Sequence, residues 1–121
     1  MDVQLVLDVF RSLADMTEPQ AKSWLPMCHW AVASVFGRLR SDADAAAHAT
    51  ELAHAAGTLA YYRYVLRMAA VQGSADFSVG DVTIKERTAD LLAAAKQLYE
   101  EAMASVAHLM DDDFAFMEVP S

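Results

Sequence analysis

The run that decides the fold is ELAHAAGTLAYYRYVLR, from Glu51 to Arg67. Set out at 100° per residue, it has no polar side. Ala53, Gly57 and Ala60 fall together, a line that runs back to Ala46 and on to Tyr64 and Val71. Leu52, Leu59 and Leu66 lie nearly opposite. Past a cap at Ser41 or Asp42, only Asp44, Glu51, Arg63 and Arg67 carry charge as far as Val71. The pattern predicts one long central helix over 41–71. A helix that is apolar nearly all round must be covered on more than one side. Its small-residue side lets another helix come close. Its leucine side is either ordinary core or a surface for a second subunit, and Leu52, Leu59 and Leu66 are the residues that such a subunit would meet.

Working outward towards the N-terminus, residues 17–40 contain two punctuation marks. Thr17-Glu18-Pro19-Gln20 has a capping residue, a proline suited to the first turn, and a glutamine where the reciprocal cap belongs. Pro26 then removes one helical hydrogen bond and presses on the carbonyl of Lys22. A kink, or a restart near Leu25, is expected. After it, Met27, Trp30, Ala31, Ser34, Val35 and Leu39 share a stripe, with Arg38 and Arg40 closing the helix. Residues 2–14 make the first helix, with Asp2 as N-cap and Val3, Val6, Leu7, Phe10, Leu13 and Ala14 along its inner side.

Beyond Gln72-Gly73-Ser74 the period changes. Phe77 and Val79 alternate with Ser78, and Val82 and Ile84 with Thr83, around Gly80-Asp81. Two alternating runs about a Gly-Asp turn predict a small β-hairpin at 77–84. Such a hairpin is marginal alone and needs a neighbour. Phe77, Val79, Gly80, Asp81, Val82 and Ile84 are therefore candidate contact residues. Thr88 is expected to cap the last helix, whose stripe is Leu91, Ala95, Leu98, Ala102, Val106 and Leu109. Asp111-Asp112-Asp113 opposes the dipole of a helix end and should stop it. The fold class is thus all-α: a four-helix bundle-like domain over 1–113, with the hairpin inserted and an extended tail over 114–121. Phe114, Phe116, Met117 and Val119 make that tail a docking segment.

Composition agrees and narrows the function. Alanine occupies 24 of 121 positions, against 4 Gly and 3 Pro, and alanine favours helix over strand. A hydrophobic fraction of 55% excludes global disorder. The net charge of −8 weighs against general nucleic-acid binding, which needs clustered Lys and Arg. Cys28 has no cysteine to pair with, which fits a reducing compartment. Asp2 and Asp8 stand where a signal peptide would be basic and then apolar. The longest run without Asp, Glu, Lys or Arg, Ser23–Gly37, is too short to span a membrane. A soluble protein without membrane contact is expected.

No constellation stands out as catalytic, metal-binding or cofactor-binding. Cys28 and His29 are adjacent, which does not put thiol and imidazole on one helix face. His48 and His54 are six apart, off the spacing that aligns two ligands. The three aspartates lack the alternating ligands and glycine of a calcium loop. The stretch around Gly73 and Gly80 has no phosphate-loop pattern. Tyr61, Tyr62 and Tyr64, with Arg63 and Arg67, suit either a stacking and phosphate-binding patch or, more simply, the edge of the core or an interface.

The order of elements, with AGTLAYYRY at 56–64 and FSVGDVTI at 77–84, resembles the head–tail connector, or adaptor, proteins of tailed bacteriophages and prophages. The SVGDVTI segment after the tyrosine-rich helix is its most telling part. The resemblance implies a virion structural protein and not an enzyme. It implies a homo-oligomeric ring, commonly of twelve copies, docked beneath the portal protein at the head–tail junction after synthesis in the host cytoplasm. A tail-side connector or stopper protein would attach below, and DNA would pass through the lumen without sequence-specific binding. The competing expectation is a small helical regulatory or interaction protein that works as a dimer.

Overall fold

The computed structural model describes residues 2–75 and 82–111, with side chains over 2–71 and 88–111. The described residues are mostly helical, and no strand occurs among them. In chain order the helices are α1 (Val3–Ala14), α2 (Glu18–Lys22), α3 (Leu25–Phe36), α4 (Ala49–Ala75) and α5 (Val82–Ser105), followed by a 3-10 turn at Ala107–Leu109.

Local chemistry places the first three helices. The Asp2 carboxylate accepts a hydrogen bond from the Gln4 amide at 2.9 Å and starts α1. Asp15 ends it in the left-handed region, at φ 55°, and its amide donates to the Arg11 carbonyl. At α2 the Thr17 hydroxyl accepts from the Gln20 amide, and the Gln20 side chain accepts from the Thr17 amide at 3.0 Å. Pro26 stands in the first turn of α3, so the chain restarts at Leu25. Within that turn its missing N–H costs little.

α4 is the axis of the domain. α1, α3 and α5 all pack on it. Every residue from Ala55 to Tyr61 is buried, so the helix is covered on all sides along that stretch. Along that stretch the chain's own helices supply the cover that an all-round apolar helix needs. α1 comes in over Gly57, where a Cβ would fall 2.5 Å from Val9 Cβ. Val6, Leu7 and Phe10 of α1 meet Ala21, Cys28, Ala31 and Val35 from α2 and α3 in one core, with Ala95, Ala102, Val106 and Leu109 from the far side.

The central helix begins at Ala49, eight residues later than expected. Residues 38–48 have other hydrogen-bond partners. The Arg40 amide donates to the Leu109 carbonyl at 2.9 Å, and the Asp111 amide to the Arg38 carbonyl at 2.8 Å. Leu39 and Met110 so form an isolated antiparallel bridge. The Asp44 carboxylate then accepts from the Ala47 amide at 3.2 Å, a local turn that competes with helix. The same contacts end α3 at Phe36, before Arg38 and Arg40.

The expected hairpin needs correction in its second half. Val82, Thr83 and Ile84 form the first turn of α5, which starts six residues before Thr88. Three alternating residues cannot hold out against extension of the helix that follows, where each added residue gains a hydrogen bond. Phe77, Val79, Gly80 and Asp81 lie outside the described residues, as do Phe114, Phe116, Met117 and Val119.

Candidate functional site

The side chains with chemistry gather along α3 and α4. Trp24 precedes α3 and Trp30 lies within it, while Arg63 and Arg67 are one turn apart on α4. The Arg63 guanidinium sits 4.7 Å from the centre of the Trp30 ring, and that of Arg67 lies 5.7 Å from Trp24. The planar cation is weakly hydrated and rests well on an aromatic face. Tyr64 sets its edge against Phe10 and Trp24, with centroids 5.6 and 5.0 Å apart. Tyr62 stacks on Tyr99 of α5 at 6.1 Å. Tyr61 is buried, and that burial raises its hydroxyl pKa, with a smaller contribution from Tyr64. The tyrosines therefore form the edge of the core rather than an open patch.

One cleft opens where α3, α4 and α5 meet. Its volume is about 430 Å³, and Trp30, Ser34, Gly37, Arg38, Leu59 and Tyr99 line it. Arg38 is half-buried there and donates from Nη1 to the Tyr99 hydroxyl at 3.2 Å. The cleft thus combines apolar walls with a positioned cation.

Leu52 and Leu59, named as candidate subunit contacts, are buried within the fold, which is the core alternative for the leucine side: the chain's own helices pack on them from outside α4. Leu66 is half-buried. Cys28 is fully buried and its thiol is pushed up to about 11 by loss of solvation. His29 is exposed on its helix. A thiol so disposed is protonated at neutral pH and makes a poor nucleophile.

His48 finds a partner that its spacing to His54 concealed. Its ring packs edge-on to His108 at 5.5 Å, and its Nδ1 lies 3.2 Å from Glu51 Oε2. The signal is invisible in sequence because His48 and His108 are sixty residues apart. Among the described residues no group of three or more His, Cys, Asp or Glu is arranged to hold a metal ion. No described helix is long and apolar enough to cross a membrane.

The arginine–tryptophan pairs and the Arg38–Tyr99 contact were also missed by sequence reading. Projection of single helices reveals faces, not which faces meet. Comparison with protein-family models, curated proteins and solved structures gives no match to this chain.

Proposed function

We propose that the chain is a virion structural protein, a head–tail connector or adaptor subunit. Copies assemble into a ring beneath the portal protein, twelve by the resemblance above. DNA passes through the lumen, and a tail-side connector or stopper protein joins below. α1, α3, α4 and α5 make the bundle-like body of each subunit, and the segment over 114–121 reaches a neighbour or the portal.

The observation that carries this reading is the mismatch in helix length. α4 and α5 have 27 and 24 residues, whereas α1 and α3 have 12 each. At 1.5 Å per residue the long pair extends for roughly 40 Å and the short pair for about 18 Å. The short helices cannot cover all of α4 and α5. Met68, Val71 and Leu91, which lie towards the ends of those helices that the 76–81 connection joins, are exposed at 38%, 54% and 46%. Apolar side chains left open on a long helix pair suit association with other copies. The acidic net charge of −8 suits a conduit that does not grip phosphates.

The test is mass by light scattering together with electron micrographs, for the protein alone and mixed with portal protein. Rings in either sample are expected. Val71→Glu with Leu91→Glu should abolish them and leave the far-ultraviolet circular dichroism intact. A tight dimer as the only assembly, lost in the same variant, replaces this reading with the regulatory one. A monomer indifferent to portal overturns both.

A further inference from the structure

We propose that His48 and His108 form a proton-sensitive latch on the Leu39–Met110 bridge, closed near neutral pH and loosened in mild acid. Two segments meet there. His48 ends the 38–48 connection, and its carbonyl accepts the Leu52 amide of α4 at 2.9 Å. His108 lies in the 3-10 turn, next to Leu109, whose carbonyl accepts the Arg40 amide across the bridge. The two imidazoles stand with their centres 5.5 Å apart and their planes at 81°. They are a side-chain contact between the same two segments that the bridge joins by backbone.

Charge decides what that contact is worth. Neutral rings attract edge to face, because a polarised edge meets an electron-rich face. Imidazole ordinarily gains its charge between pH 8 and pH 5, where carboxylates and guanidinium groups do not titrate. A first proton is accommodated: Glu51 Oε2 lies 3.2 Å from His48 Nδ1 and balances a cation there. A second proton, on His108, sets two like charges on rings 5.5 Å apart. Opening the bridge relieves that repulsion, so the open form binds the second proton more tightly. By linkage the closed form loses ground as the pH falls. The other charged groups on the segments packed here do not change this sign. Arg40 pairs with Asp42 at 3.6 Å, and the Asp44 carboxylate accepts from the Ala47 amide. Arg38 and Asp111 flank the bridge, and Glu100 and Glu101 stand on the last turns of α5. The His48 side chain is 34% exposed and His108 is exposed, so water screens part of the repulsion. The inference does not rest on the ring reading: an unassembled subunit has the same junction.

The test reads the latch with trypsin. The Arg38–Leu39 bond lies in the bridge and must leave it to enter a protease, so its cleavage tracks the open population. The full chain is digested at about pH 7.5 and at about pH 5.5, on either side of the imidazole transition. The rate at which fragment 1–38 appears by mass spectrometry is divided by the rate for a synthetic peptide of residues 36–44 in the same buffer. That ratio should rise roughly three- to tenfold on acidification, the scale of like-charge repulsion at this separation in a partly solvated site. His108→Gln should remove most of the rise, and so should His48→Gln, although His29 and His54 remain in both. Glu51→Gln should carry the rise to lower pH, because the first proton then lacks its carboxylate. Sodium chloride at about 1 M should blunt it by screening. Circular dichroism of each variant should match that of the parent at both pH values, since both rings lie at the surface. A ratio that stays flat in the parent overturns the proposal. So does an equal rise in the parent and in His108→Gln, which assigns the pH dependence to other groups.

Discussion

A side chain at position 57 would have to share space with Val9. A Cβ on Gly57 falls 2.5 Å from Val9 Cβ, so α1 must shift or tilt to admit one. Replacing glycine in a helix interior gains up to about 1 kcal/mol of propensity. Overpacking costs about 1–3 kcal/mol. With the larger Gly57→Val the clash prevails, and a net loss of about 2 kcal/mol is expected in urea unfolding. Phe10, fully buried against Tyr64, should lose about 3–5 kcal/mol as Phe10→Ala.

Cys28 gives a pH-dependent counterpart. Its pKa rises from 9.0 to about 11 on folding. The native state therefore holds the proton more tightly than the unfolded chain. That contribution is complete below pH 9 and is lost as the pH climbs through about 11. The loss is on the order of 2 kcal/mol. Other groups titrate there too, so the measurement is a comparison: stability of Cys28→Ala should fall less steeply between pH 9 and 11 than that of the parent. Equal slopes would mean the thiol does not contribute.

At the scale of elements, what governs each helix is either close in sequence or far from it. Pro26 is of the first kind. It stands in the first turn of α3, where its N–H has no helical partner to lose, so Pro26→Ala should change stability by less than about 1 kcal/mol. Ala31→Pro, in the buried interior of the same helix, should cost about 3 kcal/mol or more, read from the same urea titration. The Asp2 cap, the Thr17–Gln20 box and the restart at Leu25 are legible in sequence for the same reason: each is settled within four residues. The start of α4 is not, because residues 38–40 take their hydrogen bonds from the end of the chain. Nor is the fate of Val82–Ile84, where three residues of alternation say less than the helix behind them. Leu52 and Leu59 read equally as core or as interface until the neighbours of α4 are known. The cleft was illegible for a similar reason: Trp30, Arg38, Leu59 and Tyr99 come from three helices and a loop, and no single periodicity joins them.

For the whole molecule, charge decides how it meets nucleic acid. Arg38 is engaged with Tyr99, and Arg63 and Arg67 lie over tryptophans. Against a net charge of −8, few cations remain to contact phosphate. The unassembled subunit should show no binding to random duplex DNA near 150 mM salt in a fluorescence anisotropy titration, since two or three phosphate contacts give only weak, salt-sensitive affinity. Micromolar binding would turn the arginine–tryptophan pairs into a nucleic-acid surface and remove the conduit.

The bridge between Leu39 and Met110 joins positions more than seventy residues apart. Closing so long a loop is costly in chain entropy before any contact rewards it. The α4–α5 pairing, linked by six residues, is far more local and should form first. The clasp therefore belongs to the last events of folding and to the first of partial opening. Its two amides, Arg40 N–H and Asp111 N–H, hold the two segments from opposite sides. They should exchange with deuterium together, as one cooperative unit, and well before the amides of Ala55 to Tyr61 at the centre of α4.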